Sequence, residues 1–176
     1  MLRIGVIGQS GEIPETAERL AEEIGREIAI RGAILFTGGT NGVMKAASRG
    51  AKLANGLVVG ILPGDTIDET NGFIDIPVTT GMNFDYRSLI LVHSSDAIIM
   101  VAGANGTLGE LSAAYLNRKP VVILEPSGGW AAKIRGIAYE GGRYLDERRL
   151  VRLNYAQTAK EAVDLAISLA KSASKI

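Results

Sequence analysis

The sequence predicts an α/β fold of the doubly wound type, in which helices cover both faces of a mainly parallel sheet. Along the 176 residues, short apolar runs alternate with longer amphipathic segments, which is typical of consecutive β-α units. Glycine-rich turns follow two of these runs, at strand ends where sheets of this kind bind ligands. No shift in composition marks a boundary, so we expect one Rossmann-like domain over residues 1–176.

The apolar patterns predict the elements in order. Continuous apolar runs that end at glycine, proline or polar turns predict strands over residues 3–7, 33–36, 57–62, 73–78, 97–100 and 121–124. Apolar residues that recur with a helical period between capping or glycine signals predict helices over residues 14–31, 41–54, 83–93, 108–115 and 158–173. The polar stretch between the third and fourth strands predicts a surface loop.

The composition narrows the classes of function. Lys and Arg together number 19, as do Asp and Glu, so no net positive charge attracts nucleic acid or an anionic membrane. The chain has no cysteine and one histidine, His93, so it has almost none of the side chains that usually ligate zinc. No apolar run approaches the ~20 residues that a membrane helix needs. We therefore expect a cytoplasmic protein that binds a small molecule, with no nucleic-acid or membrane partner and no metal.

Residues 101–110 carry the most chemical information, because they combine a strand end, a glycine turn and a helix start. The first N–H groups of a helix lack partners within the helix and lie at the positive end of its dipole. Glycines in the turn let an anion, most often a phosphate, approach these groups. We expect such an anion to bind at Gly103, Ala104, Asn105, Gly106 and Thr107.

A second turn of the same design follows the strand predicted at residues 33–36, and its candidate binding residues are Gly38, Gly39, Gly42 and Met44. We expect the two glycine turns to share one phosphate site, to which the turn after the first strand adds Gly8 and Ser10. The spacing matches neither the Gly-x-Gly-x-x-Gly dinucleotide fingerprint nor a Walker motif. Glycines at either turn could also serve tight chain reversal alone.

Arg87 lies in a predicted helix whose apolar residues are distributed nearly all round, so we expect that helix to be buried on several sides. On a helical wheel Arg87 falls between Ile90 and Leu91, and its guanidinium therefore needs an anionic partner. That partner is either a carboxylate in a structural ion pair or a group on a ligand. The same apolar surface exceeds what one sheet face can cover, which favours a homo-oligomer.

Glu110 allows two interpretations. Residues 107–110, Thr-Leu-Gly-Glu, match a capping box, in which the carboxylate turns back to the start of the helix. On the helical wheel, however, Glu110 lies opposite the predicted core stripe and beside small residues, so a ligand could reach it. The residues alone leave both interpretations open.

Three motifs, in this order, resemble the LONELY GUY (LOG)-like superfamily. They are Gly38-Gly39-x-x-Gly42-x-Met44, Arg87 on a helix, and Gly103-x-x-Gly106-Thr107-x-x-Glu110. The superfamily includes phosphoribohydrolases, which release a base from a nucleoside 5′-monophosphate, and proteins labelled "possible lysine decarboxylase". The similarity covers almost the whole chain. The length and residues 60–63, 128–130 and 144–146 resemble the branch that contains molybdenum-cofactor carrier proteins.

The resemblance implies roles for particular residues. Gly103, Gly106 and Thr107 would hold a phosphate, and Arg87 and Glu110 would form a catalytic pair. Glu110 would stabilise an oxocarbenium-like ribose or orient the attacking water, while Arg87 would orient the substrate and offset its charge. The resemblance implies no required cofactor, and it implies a dimer or a tetramer.

Two departures from the superfamily pattern support an alternative function. The Pro-Gly-Gly-x-Gly-Thr loop of the phosphoribohydrolases reads Ala-Gly-Ala-Asn-Gly-Thr at residues 102–107, and their Arg-Lys pair reads Arg87-Ser88. A carrier for molybdenum cofactor (molybdopterin), or for another nucleotide-like ligand, would use the same loops without the hydrolytic geometry. Lysine decarboxylase activity is not expected, because no lysine lies in the motif context of a pyridoxal-phosphate Schiff base.

Overall fold

The computed structural model describes residues 1–173, in which seven strands form one parallel sheet. The strands are β1 (Arg3–Ile7), β2 (Ile34–Thr37), β3 (Val58–Leu62), β4 (Ile76–Thr79), β5 (Ala97–Val101), β6 (Val121–Leu124) and β7 (Leu153–Ala156). The helices are α1 (Glu15–Ile30), α2 (Val43–Leu53), α3 (Phe84–Ser94), α4 (Asn105–Leu116), α5 (Ile134–Ile137), α6 (Tyr139–Gly142) and α7 (Ala159–Ala173). A 3₁₀ turn, Glu125–Ser127, follows β6.

The strand order is β4-β3-β2-β1-β5-β6-β7, so the direction of winding reverses between β1 and β5. Strand β1 pairs in parallel with β2, in the register Ile4↔Leu35, and with β5, in the register Ile4↔Ala97. Helices α1, α2 and α7 pack on one face of the sheet, and α3, α4 and α5 pack on the other. This arrangement confirms the predicted Rossmann-like, doubly wound fold.

Close packing of α1 against α2 fixes the position of the second glycine turn, which leads into α2. A Cβ on Gly25 would lie 1.8 Å from the carbonyl oxygen of Ala47, and one on Gly50 would lie 1.9 Å from that of Glu22. Glycine at these two positions therefore lets the helix backbones approach each other. The start of α2 is held at the carboxyl end of the sheet as a result.

Two strands differ from the sequence prediction. Strand β4 begins at Ile76 rather than at residue 73, because the side chain of Asn71 accepts the Phe73 N–H (3.1 Å) and that of Asp75 accepts the Val58 N–H (2.8 Å). Strand β7 was not predicted, since Asn154 interrupts its short apolar run.

The prediction that α3 is buried on several sides is wrong for the single chain. Only Arg87, Leu91 and Val92 of this helix are buried. Phe84 and Tyr86 are 56% and 61% exposed, because α3 covers the sheet with one side and directs its other apolar residues away from it.

Candidate functional site

A cavity of about 680 Å³ lies where the winding of the sheet reverses, beyond the carboxyl ends of β1 and β5. The turn after β1 and the first turns of α3 and α4 form most of its wall. Eight of the predicted site residues line it, namely Gly8, Ser10, Met44, Arg87, Ala104, Gly106, Thr107 and Glu110. The fold thus brings the predicted catalytic pair and most of the predicted phosphate loop into one space.

The other predicted binding residues, Gly38, Gly39, Gly42, Gly103 and Asn105, do not line the cavity. A Cβ on Gly42, which has φ +62°, would lie 2.4 Å from the Gln9 carbonyl oxygen, and one on Gly39 would lie 2.8 Å from Leu62 Cδ2. These glycines let the second turn pack tightly against its neighbours. The second turn contributes Met44 to the cavity wall, and its glycines lie outside the lining.

The guanidinium of Arg87 is buried in the cavity wall and packs against Gly38. A Cβ on Gly38 would be 1.8 Å from Arg87 Nη1, so glycine there makes room for the guanidinium. Nη1 lies 4.0 Å from Met44 Sδ, and Cζ lies 5.7 Å from the centre of the Phe84 ring. Arg87 is only 4% exposed. Its charge is therefore held among a thioether, an aromatic ring and a glycine backbone.

Arg87 has no ion-pair partner among residues 1–173. Within the same part of the chain, its buried Nε also has no hydrogen-bond partner. Burial lowers the pKa of Arg87, and the negative charge of nearby Glu110 opposes that effect. Because a guanidinium stays charged in proteins, this site is suited to an anionic group from outside the chain.

Glu110 is 8% exposed and accepts a hydrogen bond on Oε1 from Ser88 Oγ at 3.0 Å. Burial raises the pKa of Glu110 to about 7, although Arg87 and the Ser88 hydrogen bond act to lower it. The capping-box interpretation is wrong, because α4 begins at Asn105 with Ala104 as its N-cap, three residues before Thr107. Glu110 therefore lies in the second turn of α4, directed at the cavity and α3 rather than at the helix start.

The first turn of α4 is open to the cavity. Ala104 supplies no side-chain cap, so the first N–H groups of the helix lack partners within it. A Cβ on Gly106 or Gly109 would meet nothing within 4 Å in the described chain, and both residues line the cavity. Each glycine inside a helix costs about 1 kcal/mol relative to alanine. An open backbone wall beside free N–H groups suits the close approach of an anion.

Several residues that line the cavity were not predicted as site residues: Gln9, Phe84, Asp85, Tyr86, Ser88, Leu89, Gly109 and Ala113. Most of them belong to the first turns of α3, so their proximity to Arg87 along the chain was the available signal. Within residues 1–173, Arg87 is the one cationic side chain on this wall, against the carboxyl groups of Asp85 and Glu110.

Replacing Glu110 with glutamine is expected to raise the free energy of unfolding at pH 8 and to change it little at pH 4. Burial raises the pKa of this carboxyl from 4.5 to about 7. Between these values the folded state binds more protons than the unfolded state, so the stability of the unmodified protein falls as pH rises. The gain in Glu110→Gln should reach about 2–3 kcal/mol by pH 8, measured by urea unfolding across the pH range. Parallel pH curves for the two proteins would contradict the burial of an ionised carboxylate.

The structure adds two observations on other partners. Over residues 1–173, the His, Asp and Glu side chains form no group that could hold a metal ion. None of the helices in that range combines the length and apolar character needed to cross a membrane.

A model of the SLOG cluster4 family matches residues 1–163 of the chain. The chain belongs to the SLOG cluster4 family. It is 30% identical over 156 residues to a cytokinin riboside 5′-monophosphate phosphoribohydrolase of Mycobacterium tuberculosis, with 82% of each protein covered.

The solved structures that are similar to this SLOG cluster4 protein include two molybdenum-cofactor proteins. One is the molybdenum cofactor binding protein of Rippkaea orientalis, with 32% identity, a TM-score of 0.82 and 96% of each chain covered. The other is the molybdenum cofactor carrier protein of Chlamydomonas reinhardtii, with 32% identity, a TM-score of 0.79, and 96% of this chain and 97% of that chain covered. Together with the family match, these similarities confirm the resemblance to the LOG-like superfamily and its carrier branch.

Proposed function

We propose that this SLOG cluster4 protein binds a nucleotide-type monophosphate, with the phosphate at the start of α4. The free N–H groups of the first turn and the open wall at Gly106 and Gly109 support this position. Arg87 supplies the positive charge of the cavity, and within residues 1–173 it forms no ion pair and its Nε has no hydrogen-bond partner. We expect the ligand to carry one phosphate and to be neutral or polar elsewhere, because the cavity wall also carries the carboxyl groups of Asp85 and Glu110.

We further propose that the protein hydrolyses the N-glycosidic bond of a nucleoside 5′-monophosphate. The observation that carries this proposal is the buried Glu110, whose pKa is raised to about 7, in one cavity with Arg87 and the start of α4. A carboxylate that titrates near neutral pH is suited to accept a proton from an attacking water. The phosphoribohydrolase of Mycobacterium tuberculosis acts on a riboside 5′-monophosphate, which agrees with this chemistry.

In this mechanism Ser88 holds Oε1 of Glu110, which leaves Oε2 to bind the water. The water oxygen forms a bond to C1′ of the ribose while the bond from C1′ to the base nitrogen breaks, and the bonding electrons leave with the base. Glu110 stabilises the positive charge that develops on the ribose and takes the proton of the water. The departing base nitrogen takes up a proton from solvent, and Glu110 then returns its own proton to solvent. Arg87 orients the substrate through its negative group.

The direct test is incubation of the purified protein with a broad panel of nucleoside 5′-monophosphates. We expect at least one member of the panel to release a free base and ribose 5-phosphate, which chromatography detects. No release from any monophosphate would overturn the hydrolase proposal and would leave a binding function.

A non-catalytic carrier is the second candidate, and the loop sequence favours it. Ala104 and Asn105 stand where the phosphoribohydrolases have a glycine and a variable residue, and the side chain of Ala104 lines the cavity wall. The two similar solved structures bind or carry molybdenum cofactor. A carrier of molybdopterin or a similar ligand should bind it tightly through its phosphate, with affinity that is largely insensitive to Glu110→Ala. A mass spectrum of the ligand that copurifies with the native protein would choose between the two candidates.

We also propose that the protein is a homo-oligomer, because α3 carries apolar side chains that the rest of residues 1–173 leaves exposed. Leu89 on α3 is 41% exposed, and it lines the same cavity wall as the exposed rings of Phe84 and Tyr86. Leu89→Glu should therefore shift the protein from a dimer or tetramer to a monomer, as measured by size-exclusion chromatography with light scattering. Leu53→Glu is the matched control, since Leu53 is 70% exposed at the far end of α2. An unmodified protein that is already monomeric would contradict the proposal.

A further inference from the structure

The loop between β5 and α4 contains a strained residue. Ala102 has φ +49°, in the left-handed region that residues with a side chain rarely adopt. It is 2% exposed and immediately precedes the turn that ends at the N-cap of α4. A left-handed non-glycine residue costs about 1–2 kcal/mol and persists only where its surroundings hold it.

Ser127, at the end of the 3₁₀ turn after β6, holds this strained residue. Its Oγ accepts the Ala102 N–H at 2.6 Å and donates to the carbonyl oxygen of Leu124, the last residue of β6. Ser127 is itself only 2% exposed. One buried hydroxyl, which does not line the cavity, therefore connects the end of β6 to the start of the α4 loop.

The residues that follow Ser127 hold the same loop through their backbone. The Trp130 N–H donates to the Gly103 carbonyl at 3.1 Å, and the Ala131 N–H donates to the Ala102 carbonyl at 3.0 Å. A Cβ on Gly129 would lie 2.7 Å from the Gly103 carbonyl oxygen, so glycine there permits the close approach. Both carbonyl groups are thus occupied by hydrogen bonds to the segment after Ser127, which fixes the orientation of the peptide groups that precede α4.

We propose that Ser127 is a positioning residue for ligand binding, which fixes the direction of the first N–H groups of α4 by holding Ala102 in its left-handed conformation. This proposal rests on the proposed monophosphate site. Ser127 does not line the cavity, and it lies 20 residues beyond Thr107 in the chain. Its effect on the ligand is therefore transmitted through the backbone of residues 102–104.

The experiment compares Ser127→Ala with Ser95→Ala. Ser95 is also buried, and its Oγ donates to the Leu91 carbonyl at 2.9 Å, but it precedes β5, at the amino ends of the strands rather than at the carboxyl ends where the cavity lies. Hydrogen–deuterium exchange of residues 102–107 should become about tenfold faster in Ser127→Ala only. The dissociation constant for adenosine 5′-monophosphate, measured by calorimetry, should rise by about tenfold in that variant only.

The outcomes separate this proposal from the monophosphate site itself. Unchanged exchange over residues 102–107 in Ser127→Ala would overturn the positioning role, as would faster exchange with unchanged affinity. If the unmodified protein binds no adenosine 5′-monophosphate, the proposed site fails for that ligand and exchange alone decides the positioning role. Should Ser127→Ala not fold, Ser127→Cys keeps the shape with a weaker acceptor and should exchange at an intermediate rate. Exchange at the unmodified rate in Ser127→Cys would then overturn the proposal.

Discussion

Glu110→Gln should lower the rate constant for base release by about 10²–10³-fold, with a change of less than about threefold in the affinity for the monophosphate. Glutamine keeps the shape of Glu110 and an oxygen that can accept the Ser88 hydrogen bond. It cannot take a proton from water, and it offers no negative charge to the developing oxocarbenium ion. The loss should therefore fall on kcat rather than on KM.

The pH dependence gives a second readout of the same group. Because burial raises the pKa of Glu110 to about 7, base release should increase with pH through neutrality as the carboxylate forms. Glu147→Gln is a suitable control, since Glu147 is exposed and does not line the cavity. Full turnover in Glu110→Gln would show that the carboxylate is not the catalytic group.

Arg87→Met should weaken monophosphate binding by about 100-fold and, at pH 5, where Glu110 is protonated, raise the free energy of unfolding by about 1 kcal/mol. Methionine is apolar and long enough to fill the space beside Met44 and Phe84 that the guanidinium now occupies. It removes a buried charge whose Nε has no partner among residues 1–173. When a binding residue destabilises the fold, its replacement is expected to raise the stability and to lower the ligand affinity.

Arg49→Met is the matched control, because Arg49 forms ion pairs with Glu18 and Glu22 that join α2 to α1. Arg49→Met should leave the ligand affinity unchanged and should not raise the free energy of unfolding. Titration calorimetry and urea unfolding measure the two quantities for each variant. An Arg87→Met protein that is less stable but binds normally would assign Arg87 a structural role.

The fold was predictable because its central strands are continuous apolar runs buried on both faces of a parallel sheet. Strands β3, β5 and β6 are buried at every position, and their sequences contain almost no polar residue. The edge strands were less predictable, since β4 is exposed at all four positions and β7 contains Asn154. At an edge, pairing is decided by neighbouring turns and side-chain hydrogen bonds, which apolar periodicity does not record.

The proximity of Arg87 to Glu110 was expected only from the superfamily resemblance, because it depends on how α3 packs beside α4. The true start of α4 was not predictable, since the sequence does not show the left-handed turn at Ala102, directly after β5, that leads to Ala104 as the N-cap. The sequence also does not show which neighbouring group a glycine makes room for. Gly38 resembles a phosphate-loop glycine in the sequence, whereas in the fold it accommodates the guanidinium of Arg87.

The central claim is that the start of α4 binds the phosphate of a nucleotide-type ligand, and an NMR titration of the isotope-labelled protein tests it most directly. On addition of adenosine 5′-monophosphate, the amide signals of Asn105, Gly106 and Thr107 should shift with a saturable dependence on concentration, and adenosine alone should shift them little. Unchanged signals at these three residues, or equal shifts with adenosine, would contradict the claim.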